Sequence, residues 1–423
     1  MQLYIDPGTG SMLFTILLGA ATTVYFLARR LWIRMKFRLS GGRGVKDSKR
    51  IPYVIFSEGK KYWNVFEPVC DEFERRGVEL EYWTADSADP ALEKVYSHVK
   101  TRFIGEGNKA YAKLNFLNAV VCLSTTPGLD VYQWKRSRDT AYYVHILHAA
   151  GTSAGGYRMF SLDFYDAVLL TGEYQIEEIR ELERKRNEKE KELEVVGCTY
   201  MDALKRRLDE VGPASHEDTV VLLAPSWGKS SILCRFGEKL IDCLLESGCR
   251  LIIRPHPQAF TSDKDTVDAL LEKYPDSAML RWDREPDNFA SLNEADILIS
   301  DFSSVVFDFS LIFNKPFIYA EGVFDKGAYD AAWLDEELWK FRVLPRLGIP
   351  LKEEQFPQIK KVIDEALADT SLAAGRAAAR EEAWAHIGES AVRVADHLIR
   401  KYGELTAAGE SEGRQLKKAA AAG

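Results

Sequence analysis

The chain lacks cysteine pairs with metal-binding spacing, because none of its six cysteines forms a C-x-x-C motif. The sequence therefore predicts neither a zinc framework nor a disulfide scaffold, and it suits a reducing compartment. It also lacks the G-x-x-x-x-G-K loop of P-loop nucleotide-binding proteins. Positive charge is not in excess either, since the formal net charge is −8. This charge argues against general nucleic-acid binding.

Long apolar runs are scarce, and the chain has only one, at residues 11–28. At about 1.5 Å per residue this run spans roughly 27 Å, which is close to one hydrocarbon core. Lysine and arginine concentrate in 29–50, directly after it. The positive-inside rule then predicts a single-pass N-terminal anchor with the body at the cytoplasmic face of the membrane and 29–50 facing anionic lipid. A cleaved signal peptide and an interfacial segment are the alternatives.

The body alternates between short apolar strands and amphipathic helices, and this alternation restarts after residues 211–217. Strands separated by helices favour a parallel sheet with helices on both faces. Two such blocks predict an α/β fold with two Rossmann-like domains that face each other across a cleft. The predicted boundaries are a membrane anchor at 1–30, a basic linker at 31–50, an N-terminal domain at 51–212, a C-terminal domain at 213–405 and a disordered tail at 406–423.

A charged segment and four of the histidines are assigned no catalytic or binding role. Segment 173–194 is dense in both signs of charge, which is typical of a solvated helix with i,i+4 ion pairs. Four of the seven histidines are interpreted as surface residues because they lie on helical or linker segments without evident partners: His98, His216, His386 and His397.

The first motif with chemical potential is HILHAAGTSAGG, at residues 145–156. His148 follows a predicted strand, and ligands of open α/β sheets bind at the carboxyl ends of strands. A histidine there can take up a proton near neutral pH. The small residues that follow let backbone amides approach an anionic ligand closely. His145 points to the opposite face of the strand and is expected to be structural.

Two more motifs lie at the ends of later strands. In IIRPHPQ, at 252–258, two prolines bracket His256 and fix the backbone, while Arg254 offers a planar donor group for phosphate oxygens. In LLAPSWGKSS, at 222–231, the loop could line the cleft with donors for a nucleotide, including Ser226 and Trp227.

The last motif lies in ADILISDFSSVVFDFSLIFNKPFIY, at 295–319. Asp301 is expected to cap a helix whose first turn contains Ser303 and Ser304. Unpaired amides at a helix N-terminus, together with two hydroxyls, predict a phosphate site. Asp308 could pair with Arg254 or face solvent.

Together the motifs resemble the CDP-glycerol glycerophosphotransferases, the teichoic-acid primases and polymerases. H-x-x-G (148–151), R-P-H-P (254–257) and S-D-F-S-S-V-V-F-D (300–308) follow the family's order, and EVVGCTYMD (194–202) and APSW (224–227) are also similar to family segments. The chain departs from the family pattern at L-H-A-A-G, Thr199 and Gly228, which marks it as a divergent member.

The resemblance implies a GT-B fold, no cofactor or essential metal, and transfer of an alditol phosphate from a CDP-activated donor to a lipid-linked acceptor. It implies that His148 and His256 are catalytic, with His148 as the candidate general base. A nucleotide-sugar glycosyltransferase and a catalytically silent glycolipid-binding module are the alternatives. The donor-binding candidates are Arg254, Asp301, Ser303, Ser304, Ser226 and Trp227, and the acceptor-binding candidates are Gly151, Thr152 and Arg158.

Overall fold

The strand signals of the sequence form two separate parallel sheets. The computed structural model describes residues 50–151, 153–322 and 324–421. The first sheet has seven strands in the order β3-β2-β1-β4-β5-β6-β7, and all its neighbours run parallel. Its strands are β1 Ile51–Ser57, β2 Leu80–Thr84, β3 Val99–Phe103, β4 Ala119–Ser124, β5 Tyr142–Ile146, β6 Ala167–Leu170 and β7 Glu192–Val195.

The second sheet has six parallel strands in the order β10-β9-β8-β11-β12-β13. In both sheets the order reverses beside the first strand, which is where ligands of doubly wound folds bind. The strands are β8 Val220–Leu223, β9 Arg250–Ile253, β10 Leu280–Trp282, β11 Ile297–Ser300, β12 Phe317–Ala320 and β13 Gly348–Leu351.

Helices connect the strands and cover both faces of each sheet. In the first half the α-helices are α1 Trp63–Arg76, α2 Asn108–Leu114, α3 Tyr174–Arg186 and α4 Thr199–Val211. In the second half they are α5 Ile232–Glu246, α6 Ala259–Ser262, α7 Lys264–Lys273, α8 Phe289–Glu294, α9 Val305–Phe307 (continued by a π-helical turn, Asp308–Ile312), α10 Trp339–Leu347, α11 Ile359–Ala368, α12 Ala373–Ala383 and α13 Ser390–Ala421.

The core consists of apolar layers on the two faces of each sheet. Val54 and Ile55 are neighbours on β1, yet they pack into clusters on opposite faces. Leu222 and Leu223 on β8 divide in the same way. Strands buried on both faces read as continuous apolar runs, which explains why the sequence signal was clear. These layers hold the strand-end loops in place.

The last helix returns to the first sheet. Val394, Ala395 and Leu398 of α13 join the core beside β1 and β4, so segment 390–405, which was assigned to the second domain, packs with the first. The backbone is helical through Ala421, where a disordered tail was predicted at 406–423. Alanine, lysine and glutamate are strong helix formers, and the sequence reasoning gave too much weight to low complexity.

The packing of α13 against the first sheet also corrects the prediction for one histidine. His397 on α13 has no exposed surface, and its Nδ1 lies 2.7 Å from Oε2 of Glu194. The prediction that His397 is a surface residue was therefore wrong, because a periodicity argument does not show which distant strand a helix covers.

The prediction of two parallel-sheet α/β domains is confirmed. The predicted anchor at 1–30 and the basic linker lie outside the described residues, apart from Arg50. Within the described ranges, no helix has the length and apolar character needed to cross a membrane.

Candidate active site

The carboxyl ends of both sheets open onto one cavity of about 720 Å³. Residues 51–423 form one compact unit, and the cavity lies between its two sheets. It brings together motifs that are more than 150 positions apart in the chain. The lining residues from the first half include Lys61, Tyr62, His148, Gly151 and Tyr157, and those from the second half include Ser226, Trp227, Arg254, His256, Ser303, Ser304, Asp308 and Lys340.

His148 lies two residues beyond the end of β5, at the cavity wall. Its Nδ1 lies 2.8 Å from Oγ1 of Thr125, which directly follows β4. The ring of Tyr62 packs against the imidazole, with a centroid distance of 5.2 Å. Burial, followed by the nearby Lys61 and His256, lowers the pKa of His148 to about 4. The imidazole is therefore neutral near pH 7, as a general base must be before it takes a proton.

His256 follows β9 and is held between two prolines, as the sequence indicated. Its Nδ1 accepts a hydrogen bond of 3.1 Å from the backbone N–H of Gln258. This bond leaves the proton of the neutral ring on Nε2, so His256 can donate a hydrogen bond from Nε2. Burial, together with Lys61 and Arg254, lowers its pKa to about 4. The ring of Trp227 lies 6.4 Å from it, centroid to centroid.

Arg254 lines the cavity beside His256, but its guanidinium is largely engaged within the protein. Nη1 donates to Oδ2 of Asp283 at 2.5 Å, and Nη2 donates to the carbonyl oxygen of Glu285 at 2.8 Å. Arg254 therefore fixes the chain after β10 and places positive charge at the wall. The pairing of Arg254 with Asp308, one of two alternatives left by the sequence, does not occur.

Asp301 does not reach the cavity. Its Oδ1 accepts from the backbone N–H groups of Ser226 at 2.8 Å and Ser303 at 3.2 Å, and its Oδ2 accepts from that of Ile232 at 2.9 Å. Burial raises the pKa of this carboxyl, and the backbone donors partly oppose that rise. The expected donor contact of Asp301 is thus corrected to a positioning role, because its oxygens are used to join β11, the 226 loop and the start of α5.

Ser303 and Ser304 line the cavity, as do Ser226 and Trp227. The two serines of the first pair precede α9, which has only three residues before the π-helical turn. The predicted N-terminal turn is therefore short, and the N–H of Ser303 is already bonded to Asp301. The amide of Ser303 is thus already engaged within the protein, while both serines lie in the cavity wall.

The three acceptor-binding candidates differ in where the structure places them. Gly151 lines the cavity with a φ of 114°, but its N–H donates to the hydroxyl of Tyr174 at 2.7 Å. This amide is thus taken up by the protein rather than offered to an anion. Arg158 is exposed, its backbone bridges to Tyr329, and it does not line the cavity. Its predicted acceptor contact is corrected, because the neighbouring Tyr157 lines the cavity while Arg158 is exposed outside it. Thr152 lies outside the described residues.

Sequence reasoning missed the two lysines of the site. Lys61 lines the cavity and lowers the pKa of both catalytic candidates. It lies four residues after β1, so the strand-end rule could have found it. Lys340 lies on α10, where no strand end marks it. Its Nζ donates to the carbonyl oxygen of Gly155 at 3.2 Å, and burial lowers its pKa to about 8.

Asp308 is the most perturbed acid of the cavity. It is 5% exposed, and Oδ1 has no hydrogen-bond partner among the residues that the structure describes. Its Oδ2 lies 3.5 Å from the hydroxyl of Tyr200. Burial raises the pKa of Asp308 to about 8. The carboxyl is therefore protonated at neutral pH and can donate a hydrogen bond to a ligand oxygen.

A possible metal cluster lies elsewhere. Glu192, Glu194 and His397 have ligand atoms within 4.8 Å of one another, on β7 and α13. The cations of Arg400 and Lys401 already contact these carboxylates. None of the three lines the cavity.

One family model matches part of the chain. The model of the family described as CDP-glycerol:poly(glycerophosphate) glycerophosphotransferase matches residues 164–334, a stretch that includes His256 and the 300–308 motif but not His148. No curated protein sequence matches the chain.

Solved structures show the same fold at low sequence identity. The wall teichoic acid polymerase TagF has a TM-score of 0.53 at 16% identity, over 93% of this chain and 98% of that chain. S. aureus MnaA, solved with UDP, has a TM-score of 0.52 at 12% identity, over 84% of this chain and 96% of that chain. Over residues 164–334 the chain therefore matches the model of the CDP-glycerol:poly(glycerophosphate) glycerophosphotransferase family, a family of transferases, and the order of its motifs agrees with that match.

Proposed function

We propose that the protein transfers an alditol phosphate, with glycerol phosphate as the first candidate, from a CDP-activated donor to a lipid-linked acceptor in cell-surface polymer synthesis. The observation that carries this proposal is the single cavity lined by His148 from the first half and His256 from the second. The family match supports the transferase class, and a cleft between two sheets suits a donor and an acceptor held on opposite sides.

The two imidazoles have different roles in the proposed reaction. The acceptor hydroxyl attacks the phosphorus that carries the alditol, its proton passes to Nε2 of His148, and the bond from that phosphorus to the bridging oxygen breaks. CMP leaves with that oxygen. His256 donates from Nε2 to the pyrophosphate oxygens as negative charge develops on the leaving group. When the charged donor enters, its phosphates favour the imidazolium form of His148, and they thereby raise the low pKa of the empty site.

The remaining cavity residues position the donor. Ser303, Ser304, Ser226 and Trp227 lie on the second half, on the same side as His256. Lys61 and Arg254 add positive charge where a pyrophosphate would lie. Holding the reacting groups in line supplies much of the rate enhancement in phosphoryl transfer.

The membrane part of the proposal comes from the sequence. An anchor at 1–30 and a basic segment at 29–50 would keep the cavity near the cytoplasmic face, where a lipid-linked acceptor would be presented. A tethered enzyme meets such an acceptor at high local concentration.

The identity of the donor is tested with a panel of nucleotide-alditols and nucleotide sugars. Purified full-length protein is incubated with each donor and a lipid acceptor extract, and the released nucleotide is identified by chromatography. We expect CMP from CDP-glycerol or another CDP-alditol. Release of UDP or GDP from a nucleotide sugar would instead establish a glycosyltransferase, and no release from any donor would favour a binding module.

A further inference from the structure

A neutral imidazole carries its proton on one of its two nitrogens, and only the bare nitrogen can take a proton from a substrate. Among the described residues, both polar contacts of His148 are made by Nδ1. Oγ1 of Thr125 lies 2.8 Å from this nitrogen, and the hydroxyl oxygen of Tyr157 lies 3.5 Å from it. Nε2 is therefore the nitrogen available to a substrate in the cavity, and it is basic only when the proton lies on Nδ1.

Thr125 makes the shorter of these contacts but cannot touch a ligand itself. It has no exposed surface and does not line the cavity. It directly follows β4, which pairs in parallel with β5, so Thr125 and His148 lie at the same edge of the sheet. A hydroxyl can both donate and accept a hydrogen bond. The direction of the bond between Thr125 and His148 therefore depends on the other contacts of the Thr125 hydroxyl.

These contacts form a chain that runs from the cavity into the core. The hydroxyl of Thr125 is also hydrogen-bonded to that of Tyr157. The hydroxyl oxygen of Tyr157 in turn lies 3.1 Å from Nε2 of His145. His145 has no exposed surface, and burial, followed by the nearby His148, lowers its pKa to about 3. The chain therefore ends at a second neutral imidazole.

The protons of this chain can be ordered in two directions. In the inward order Nδ1 of His148 donates to Thr125, Thr125 donates to Tyr157, and Tyr157 donates to Nε2 of His145. In the outward order each bond is reversed, and Nε2 of His148 carries the proton.

The chemistry of the groups favours the inward order. A phenol is a stronger acid than an aliphatic hydroxyl and is therefore the better donor, and an imidazole nitrogen is a better acceptor than a phenol oxygen. Tyr157 is thus the hydroxyl best suited to donate to a histidine. The inward order costs one buried N–H, at Nδ1 of His145, which has no partner among the described residues.

We infer that Thr125 is a positioning residue that, with Tyr157 and His145 behind it, holds the proton of His148 on Nδ1 and so makes Nε2 the base. The inference rests on the proposed function for the role of His148, but the position of the proton is a property of the protein without substrate. When the acceptor hydroxyl gives its proton to Nε2, the ring becomes a cation. The bond from Nδ1 to Thr125 is then charge-assisted, which stabilises that cation without moving a proton along the chain.

NMR of full-length protein labelled with ¹⁵N-histidine locates the proton, at pH 7 and without donor or acceptor. The chemical shift of a ring nitrogen distinguishes a protonated from a bare atom, and the signals of His148 are those lost in His148→Ala. We expect a protonated Nδ1 and a bare Nε2. A bare Nδ1 and a protonated Nε2 would overturn the inference.

Tyr157→Phe tests the direction of the chain. It removes the acceptor of the Thr125 hydroxyl, which can then donate to Nδ1 of His148. The proton of His148 should therefore move to Nε2, and kcat for CMP release in the presence of acceptor should fall about tenfold. Unchanged ¹⁵N shifts of His148 in Tyr157→Phe would contradict the chain.

Thr125→Val nearly keeps the shape of threonine but removes its hydroxyl. We expect kcat to fall about tenfold while the KM for the donor stays within about twofold, because Thr125 does not touch the donor. Thr125→Ser should restore most of kcat, which a role in packing alone would not produce. Thr126→Val is the matched control and should keep the wild-type kcat, since Oγ1 of this buried threonine has no partner among the described residues. Equal loss in Thr125→Val and Thr126→Val would refute the positioning role.

The positioning role and the proposed function can fail separately. If no CDP-alditol releases CMP, but Nδ1 of His148 is protonated in wild type and bare in Tyr157→Phe, the chain stands and the reaction must be revised. If CMP is released and Thr125→Val turns over at the wild-type rate, the transferase stands and the positioning role is wrong.

Discussion

At the scale of single residues, burial and neighbouring charge decide which groups can act. His145 lies on β5 and His148 lies two residues beyond its end, yet of the two only His148 lines the cavity. His145 has no exposed surface, and its Nε2 lies 3.1 Å from the hydroxyl of Tyr157. Alternation along the strand was enough to predict this difference. The protonated Asp308 was not foreseen, because its pKa depends on an apolar environment that the sequence does not display.

The pH dependence of the reaction should reflect these environments. With the pKa of His148 near 4, kcat/KM should hold as pH falls from 7 to 5 and decline only toward 4. With the pKa of Asp308 near 8, kcat/KM should fall above pH 8 as the carboxyl loses its proton. Steady-state rates with the CDP-alditol donor between pH 4 and 9 give this profile. Lys340 in the same cavity also has a pKa of about 8, so Asp308→Asn should weaken the upper decline rather than abolish it. A lower decline centred near pH 6.5 would contradict the account.

The burial of His145 should make the protein less stable as the pH falls. Burial lowers the pKa of His145 to about 3, whereas an unfolded histidine titrates near ~6.5. The unfolded state therefore binds the proton first, so the contribution of His145 is complete above pH 6.5 and is lost as pH falls toward 3. At pH 5 the loss is about 2 kcal/mol, at about 1.4 kcal/mol per pKa unit.

Urea unfolding at pH 7 and pH 5 measures this loss. The drop in the free energy of unfolding between the two pH values should be smaller in His145→Gln than in wild type by about 2 kcal/mol. An identical drop in both proteins would show that His145 does not titrate as its burial requires.

At the scale of elements, the sequence placed most strands well and failed where the cause lies far along the chain. Segment 173–194 was predicted as one helix, but α3 ends at Arg186, Asn187 adopts a φ of 53°, and β7 begins at Glu192. Asparagine is a known residue for this left-handed cap. The strand itself was predicted, at 193–197, and only the end of the helix was placed too late. β7 lies at the edge of the sheet and is only half-buried, and its charged residues extended the helix prediction.

Asp301 shows how one side chain can organise three elements. Asp301→Ala leaves three buried backbone N–H groups without their acceptor, so the free energy of unfolding should fall by about 2–4 kcal/mol. The KM for the donor should rise as the 226 loop loosens. Chemical unfolding and steady-state kinetics measure both effects. Asp139→Ala, at an exposed position, is the control, and equal stability of the two variants would contradict the positioning role.

At the scale of the whole molecule, the two sheets bring distant motifs to one cavity. The position of these motifs at the ends of predicted strands anticipated this from the sequence. The return of α13 to the first sheet was not anticipated, because nothing local in 390–421 indicates its partner.

The predicted anchor has a direct consequence in cells. If residues 1–30 span the bilayer, the full-length protein should stay in the membrane pellet after an alkaline carbonate wash, since that wash removes proteins held by charge alone. Immunoblots of pellet and supernatant measure the distribution. Recovery of the protein in the supernatant would leave the interfacial or cleaved alternatives.

The central claim is that His148 and His256 act on one chemical step in one cavity. Each of His148→Ala and His256→Ala should lower kcat for CMP release in the presence of acceptor by about 10²–10⁴-fold, with unchanged circular dichroism and melting profile.

The double-mutant cycle on that rate tests the claim most directly. Groups that act as a unit are strongly non-additive, so the double variant should lose little more activity than the worse single variant. If the double variant's rate fell by the product of the two single-variant reductions, the two histidines would not share a step. Near wild-type turnover in either single variant would also contradict a shared step.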